Sequence, residues 1–230
     1  MHLNNLSIGY SGSAPIVSAI EAELCRGQFT CLLGRNGSGK STLLRTLAGL
    51  QSPLAGRITS NSSNFSNLSN PSSLPFSTSL VTPHCPDLKH TTVRELVAYG
   101  RLPYTGMLGQ LSSADKEAAE EAIQQVGIQH LADHYIHLLS DGERQKALIA
   151  RSLAQGAPFL LLDEPSAFLD YPSRRQLMEL LVDLSHHQGK TVLLSTHDVE
   201  LATQYADQLW IIQEHQLLIK APQDFRPEEL

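Results

Sequence analysis

Residues 34–42 read Gly-Arg-Asn-Gly-Ser-Gly-Lys-Ser-Thr and match the phosphate-binding pattern G-x-x-x-x-G-K-[ST] at every fixed position. Glycines at these spacings let the backbone take positive φ and approach a ligand closely, so that successive N–H groups converge on phosphate oxygens. The lysine adds a positive charge, and the serine hydroxyl after it is a hard oxygen ligand that suits Mg²⁺. The predicted binding residues are Gly34, Asn36, Gly37, Ser38, Gly39, Lys40, Ser41 and Thr42.

The segments on either side of this loop decide between a phosphate site and an ordinary flexible turn. The apolar run 29–33 predicts a buried strand, and residues 41–50 predict a helix whose N-terminus faces the anion. A strand, a loop and a helix in this order are the structural context that the motif requires. The sequence therefore predicts a nucleotide phosphate site.

Polar residues also follow two later apolar runs. Residues 159–162 lead into Asp163 and Glu164, and residues 190–194 lead toward His197. Because ligands gather at one edge of a parallel sheet, we expect these three side chains to lie near the phosphate loop. There, Asp163 would hold Mg²⁺, directly or through water, and Glu164 would polarise the attacking water. The alternative is a surface Asp-Glu turn that merely closes the strand.

Two other features could contribute to a nucleotide site. Tyr10 ends the first predicted strand, residues 3–10, and is either an ordinary core residue at a strand end or a ring that stacks on the base. Residues 140–142, Ser-Asp-Gly, open a predicted helix that runs to Gly156. Free N–H groups at the start of that helix would form a second anion site.

The composition limits the class of protein. The chain has 230 residues, enough for one large α/β domain. A formal charge of −6 argues against binding nucleic acid by broad phosphate neutralisation. The apolar runs are far shorter than the roughly 20 residues that cross a bilayer, and the N-terminus lacks the features of a secretory signal. We therefore expect a cytosolic protein, with Cys25, Cys31 and Cys85 as reduced thiols.

The middle of the chain is predicted to be mostly helical. Thr92 and Glu95 have the spacing of a capping box at the start of one helix, residues 101–109 are predicted to form a loop, and residues 113–127 form the next helix. The Ser- and Asn-rich residues 60–79 predict a surface excursion. His130, His134 and His137 could share a metal on a helix face, but a solvated face is favoured because no cysteine or carboxylate pattern surrounds them.

Taken together, these motifs resemble the ATP-binding subunits of ABC transporters, in the order of that family and over nearly the whole chain. The resemblance rests on the phosphate loop, the signature-like residues 139–143, the strand end at 162–165, the loop 166–170 and His197. It implies a single domain, residues 1–230, with an α/β P-loop NTPase fold. Its parts would be a mainly parallel sheet core, an antiparallel N-terminal β part and a helical subdomain at roughly residues 86–156.

The same resemblance implies how each residue is used. ATP and Mg²⁺ would be the cofactors, Tyr10 would stack on adenine, and Lys40 and Ser41 would bind the phosphates and Mg²⁺. Glu164 would be the catalytic base and His197 the sensor of the γ-phosphate. In this family two copies close head to tail over two nucleotides, so the residues at the second anion site, Ser140 and Gly142, would serve the ATP of a second copy in a homodimer.

Residues 92–101, followed by Pro103 and Tyr104, are similar to the ATPases of iron-siderophore, haem and vitamin B12 importers. This implies membrane permease subunits and a substrate-binding protein as partners, no nucleic acid, and a place on the inner face of the cell membrane. Two residues depart from the family pattern. Pro83-His84 stands where a glutamine is usual, and Asp141 stands where the signature usually has glycine.

Two other functions stay open at this stage, and the two departures bear on the second. One is a soluble ABC-type ATPase that acts on DNA or ribosomes, although the coiled-coil insertions or second ATPase domain usual in such proteins are missing. The other is a regulator that binds ATP with weak turnover, since a carboxylate at Asp141 repels an anion unless it turns away.

Overall fold

The computed structural model contains both strands and helices, and it describes residues 1–59, 78–82, 88–106 and 109–226. The strands are β1 (His2–Ile8), β2 (Val17–Glu23), β3 (Phe29–Gly34), β4 (Ala55–Thr59), β5 (Thr78–Val81), β6 (Phe159–Asp163), β7 (Thr191–Ser195), β8 (Gln208–Gln213) and β9 (Gln216–Lys220). The helices are α1 (Lys40–Leu47), α2 (Val93–Ala98), α3 (Ser113–Gln125), α4 (Asp141–Ala154), α5 (Tyr171–His186) and α6 (Val199–Tyr205).

Two sheets organise these elements. The smaller sheet is antiparallel with the order β2-β1-β4, and the larger has the order β5-β6-β7-β3-β8-β9 among the described strands. The larger sheet is parallel from β5 to β8, and β9 pairs antiparallel with β8. The predicted fold class, a mainly parallel core with an antiparallel N-terminal part, is confirmed.

The register of the central strands brings three chain segments to one edge. Asp163 at the end of β6 pairs with Ser195 at the end of β7, and Leu32 near the end of β3 pairs with Ser195 from the other side. The phosphate loop follows β3 at this edge. Parallel pairing therefore places the residues after β3, β6 and β7 next to one another, as ligand sites in doubly wound sheets require.

Alternation along the strands divides the apolar core into two layers. In β3, Phe29, Cys31 and Leu33 face one layer, which also contains buried residues of α2 to α6. Leu32 faces the other layer, shared with the smaller sheet and α1. Both faces of the larger sheet are thus covered, which explains why its central strands read as continuous apolar runs.

Side-chain caps define where several helices begin. Thr92 accepts a hydrogen bond from the Glu95 backbone N–H, and the Glu95 carboxylate accepts one from Thr92, so the predicted capping box is confirmed. The same arrangement starts α3 with Ser112 and Asp115. Such caps pair N–H groups that have no partner within the helix.

The segment after α2 differs from the predicted loop. Tyr99–Tyr104 forms a 3₁₀ helix that lies against the C-terminal end of α4. The Arg101 guanidinium donates to the Ala154 carbonyl (2.9 Å) and to the Asp115 carboxylate (3.0 Å). A Cβ on Gly100 would lie 2.2 Å from the Arg151 carbonyl oxygen, so only glycine permits this approach. Long-range contacts, which spacing along the sequence does not reveal, order this segment.

Strand β2 was missed because its residues do not alternate cleanly between polar and apolar. Val17 and Ile20 are buried, but Ala19 between them has a φ of 50° and interrupts the alternation. Strand β1 ends at Ile8 rather than Tyr10, and α4 ends at Ala154 rather than Gly156. Thr78 and Ser79, the end of the predicted surface excursion, belong to strand β5, while residues 60–77 and Pro83-His84 lie outside the described residues.

Candidate active site

The phosphate loop has the backbone conformation that its glycines predict. Gly34, Gly37 and Gly39 have φ values of 153°, 77° and 108°. A Cβ on Gly39 would lie 2.7 Å from Cγ2 of Ile16, so a side chain at this position would both strain the backbone and collide with its neighbour. Glycine at these positions therefore allows both the backbone conformation of the loop and its close packing.

Helix α1 begins directly after this loop. Its N-cap is Gly39, which has no side chain that could accept a hydrogen bond from the first turn. Ser41 and Thr42 lie in that turn, so their N–H groups face the loop without a capping side chain. An uncapped helix start with a positive dipole end suits a phosphate group.

Ser38 provides a separate indication of a ligand. Its hydroxyl oxygen is buried and has no hydrogen-bond partner among the described residues. A buried hydroxyl without a partner is costly, by roughly 1–3 kcal/mol. A phosphate oxygen in the loop would supply the missing partner, so the residues present fit a bound nucleotide.

Lys40 lies inside the loop. Its side chain is 5% exposed, and Nζ donates to the carbonyl oxygens of Gly34 (2.8 Å) and Arg35 (3.2 Å). Nζ also lies 3.7 Å from Oε1 of Glu164. Burial lowers the pKa of the Lys40 ammonium, and the charges of Glu164 and Asp163 act in the opposite direction. The two carboxylates therefore help to keep a positive charge in this buried position.

A serine on the neighbouring strand forms hydrogen bonds with both Asp163 and Glu164. The Ser195 hydroxyl donates to Oδ1 of Asp163 (2.8 Å) and accepts the Glu164 backbone N–H (2.9 Å). Asp163 and Ser195 are both buried. One hydroxyl thus fixes the position of both acidic residues at the end of β6.

Glu164 turns sharply away from the strand. Its φ is 48°, a conformation that non-glycine residues rarely adopt. The turn brings Oε1 to 2.6 Å from Nε2 of His197. Strain of about 1–3 kcal/mol at such a residue persists only where neighbouring contacts hold it, and it is concentrated at functional sites.

The predicted site residues divide into two groups, and Tyr10 lies outside both. Lys40, Asp163, Glu164 and His197 are connected by the contacts above, next to the phosphate loop. Tyr10 lies in the turn after β1, where its side chain is 56% exposed and its carbonyl accepts from the Ser13 N–H. An exposed ring is available for stacking, but no described contact joins it to the loop.

Ser140 and Gly142 lie in the second group, at the start of α4. Ser140 forms a capping box with Glu143, in which its hydroxyl donates to the Glu143 carboxylate at 2.7 Å. These hydrogen bonds from Ser140 lower the pKa of Glu143. Asp141 lies in the first turn of the helix and pairs with Arg144 at 3.1 Å. The Arg144 guanidinium therefore offsets part of the negative charge of Asp141.

Two residues that pack the site were not predicted from the sequence. Ser195 was seen only as the polar end of a strand, and its sequence neighbour Thr196 is just as polar. Ile16 contacts the phosphate loop at Gly39 but lies before β2, which was itself missed. A polar residue that ends a buried strand next to an acidic strand end is the signal that would have identified Ser195.

The arrangement suits the transfer of a phosphoryl group to water. The loop and Lys40 can hold the phosphates, and Glu164 can accept a proton from water that is placed between it and the phosphate. His197, in contact with the same carboxylate oxygen, can orient it. Catalysis in such a site depends on positioning and electrostatics, since little covalent chemistry is left to the protein.

A family model described as ABC transporter matches residues 17–167. The chain therefore belongs to the ABC transporter family, as an ATP-binding subunit that hydrolyses ATP. None of the helices in the described part of the chain has the length and apolar character needed to span a bilayer.

Individual relatives match most of the chain. The chain is 35% identical to the ferric enterobactin transport ATP-binding protein of Escherichia coli, over 98% of this chain and 83% of that protein. It is 36% identical to the iron(3+)-hydroxamate import ATP-binding protein of Bacillus subtilis, over 87% and 74%. A solved structure of a transporter described as metal-chelate type, in an inward-facing conformation, has a TM-score of 0.86 and 27% identity, and covers 99% of this chain and 85% of that one.

Proposed function

We propose that this subunit powers the import of an iron chelate, such as a siderophore or haem, or of a related metal complex such as cobalamin. The transported compound would pass through a membrane permease that the chain does not itself contain. The observation that carries this proposal is the 35% identity with the ferric enterobactin transport subunit over 98% of the chain. An ATPase that acts on DNA or ribosomes is not favoured, since the matched relatives named above carry importer names.

The proposed mechanism uses two copies of the chain. The phosphate loop of one copy holds ATP, with Tyr10 stacked on adenine, and Ser140 and Gly142 of the other copy contact the γ-phosphate. In the structure these two residues lie apart from the phosphate loop of their own copy, beside Ser173. Closure of the two copies would therefore complete each site and transmit force to the permease.

Mg²⁺ fits the proposed site. The Ser41 hydroxyl and the Asp163 carboxylate are hard oxygen ligands, and Asp163 is oriented by Ser195. When bound, the ion would neutralise charge that develops on the outer phosphates. Lys40 holds the phosphates from the other side, and Glu164 receives the proton of the attacking water.

The remaining partners follow from the same proposal. The subunit would lie in the cytoplasm on the inner face of the cell membrane, bound to permease subunits, and a substrate-binding protein would complete the importer. Nucleic acid is not a proposed partner, in keeping with the net charge of −6.

The experiment uses tagged Glu164→Gln protein as bait in detergent-solubilised membranes of the source organism, with ATP and Mg²⁺. Mass spectrometry should identify a polytopic permease among the captured proteins. A sample with ADP in place of ATP controls for nucleotide-independent capture. The captured permease, reconstituted in vesicles with the unmodified subunit and the substrate-binding protein of the same importer, should then support ATP-dependent uptake of a labelled ferric siderophore, haem or cobalamin.

Two outcomes contradict the proposal. Capture of ribosomes or DNA-bound proteins, without a permease, would place the subunit in another functional class. Robust ATP hydrolysis in the vesicles without uptake of any of the three labelled compounds would exclude the proposed class of substrate.

A further inference from the structure

We propose that Arg174, near the start of α5, is a positioning residue for ATP hydrolysis. It would connect the loop after β6 with the loop after β7, and so keep His197 in contact with Glu164. The inference rests on the proposed roles of Glu164 and His197.

Arg174 contacts both loops with different nitrogens. Nε donates to the Leu169 carbonyl oxygen at 3.0 Å, and Nη1 donates to Oδ2 of Asp198 at 3.1 Å. Leu169 belongs to the loop that starts at Glu164, and Asp198 directly follows His197. The guanidinium is planar and rigid, so it fixes the direction of both acceptors relative to each other.

Backbone hydrogen bonds connect Glu164 with Leu169 along the first loop. The Ala167 N–H donates to the Glu164 carbonyl at 3.2 Å, and the Leu169 N–H donates to the Ser166 carbonyl at 3.1 Å. Two consecutive turns therefore join the catalytic glutamate to the carbonyl that Arg174 binds. A displacement of Leu169 would be passed to Glu164.

The second loop is equally constrained. The Asp198 N–H donates to the Thr196 hydroxyl at 3.0 Å, and Oδ1 of Asp198 accepts the Leu201 N–H at 3.1 Å, which caps α6. Its other oxygen, Oδ2, binds Arg174. The Asp198 side chain is 16% exposed, so solvent screens this ion pair less than it would a fully exposed one.

The contact between His197 and Glu164 lies between two connections. On the strand side, Ser195 joins Asp163 and the Glu164 N–H. On the outer side, Arg174 joins Leu169 and Asp198. Without Arg174 the connection on the outer side is lost, while Ser195 still joins the two strand ends. Glu164, whose backbone is in a strained conformation, then depends on fewer contacts.

The first test compares Arg174→Gln with Arg175→Gln. Arg175 is the next residue on the same helix and pairs with Glu179 and Tyr205 on the surface. We expect Arg174→Gln to lower kcat about 10- to 100-fold, the size of effect that small misplacements of catalytic groups produce. The KM for ATP should stay unchanged, because the phosphate loop is not touched. Arg175→Gln should have normal kcat.

The second test changes Asp198, the acidic partner of Arg174. Asp198→Asn keeps an amide oxygen that can cap α6, but it loses the charge that binds Arg174. If Arg174 and Asp198 act through their contact, kcat of the double variant Arg174→Gln/Asp198→Asn should be no lower than kcat of the less active single variant. Arg174→Lys should recover part of the activity, since an ammonium group can reach one of the two acceptors. The kcat values of the double variant and of Arg174→Lys together distinguish a positioning role from a general loss of stability. Circular dichroism melting would report such a loss of stability.

Normal kcat in Arg174→Gln, or multiplied losses in the double variant, would overturn the inference. Failure of the proposed catalytic role is distinguishable, because it would appear as normal turnover in Glu164→Gln, whatever Arg174→Gln does.

Discussion

Nε2 of His197 lies 2.6 Å from Oε1 of Glu164, and Nζ of Lys40 lies 3.7 Å from the same oxygen. One carboxylate oxygen is thus held between a histidine and a lysine from two different loops. The carboxylate of Glu164 thus lies beside both of these basic side chains, and the first prediction concerns this carboxylate.

Glu164→Gln should retain ATP binding and lose turnover by about 10²- to 10⁴-fold, since an amide of the same shape cannot accept the proton of the attacking water. Steady-state phosphate release measures the turnover, and fluorescence of a labelled ATP analogue measures binding. Unchanged phosphate release would refute the role of Glu164 as base. Loss of binding would instead show that the carboxylate mainly supports the phosphate loop.

Ser195→Ala should lower both stability and turnover. The substitution leaves Asp163 and the Glu164 N–H without the hydroxyl that joins them, at a cost of about 1–3 kcal/mol in the free energy of unfolding. Urea unfolding and phosphate release are the measurements.

Ser185→Ala is the matched control for this change. Ser185 is also fully buried, and its hydroxyl donates to the Val182 carbonyl within α5. Both variants should lose stability, but only Ser195→Ala should lose turnover. Equal turnover in the two variants would show that the Ser195 bridge has no part in the reaction.

Gly39→Ala should abolish nucleotide binding and destabilise the fold. Its Cβ would lie 2.7 Å from Cγ2 of Ile16, at a φ of 108°. Adding Ile16→Ala removes the collision but leaves the backbone strain, which costs roughly 1–2 kcal/mol. The double variant should therefore recover part of the melting temperature. A double variant no more stable than Gly39→Ala would mean that Ile16 moves aside without cost.

Ser140→Ala tests the proposed contact with a second copy. Ser140 caps α4 and Ser112 caps α3 through the same type of capping box. Each alanine variant should lose about 1 kcal/mol of stability. Only Ser140→Ala should also lose ATP hydrolysis. If Ser112→Ala loses as much hydrolysis as Ser140→Ala, the effect comes from helix stability and the proposed contact is not supported.

Asp115→Asn should change how stability depends on pH. Hydrogen bonds from Ser112, and then from Arg101, hold the pKa of Asp115 below its ordinary value of 3.8. The unfolded chain therefore binds this proton more readily than the folded one, so the stabilisation is present above about pH 4 and is lost as the pH falls through the lowered pKa. The stability difference between the unmodified protein and the variant should shrink below about pH 4.

Melting temperatures across this range provide the measurement. Glu117→Gln, which removes one charge from an exposed position on the same helix, is the control. A stability difference that is the same at every pH would show that ionisation of Asp115 does not stabilise the fold.

Local signals made the central site predictable. The phosphate loop, the acidic end of β6 and the capping box at Thr92 are each encoded within a few residues, so the sequence alone indicates them. The paired ends of β6 and β7 follow from the rule that parallel strands end at one edge.

Contacts between distant residues were not predictable in the same way. The 3₁₀ segment depends on Arg101 reaching Ala154, 53 residues later. Ser195 acts on Asp163 and Glu164 only because β7 pairs with β6 in one particular register. Arg174 resembles its neighbour Arg175 in sequence, and only the fold shows which of them binds Asp198.

Helix α4 extends from the proposed contact with a second copy to the 3₁₀ segment. Its 14 residues form a rod about 21 Å long. Ser140 and Gly142 lie at one end, and at the other Gly100 and Arg101 contact the backbone of Arg151 and Ala154. A single helix therefore separates the 3₁₀ segment from the residues proposed to contact a second copy. The length of α4 thus fixes the distance between these two surfaces of the subunit.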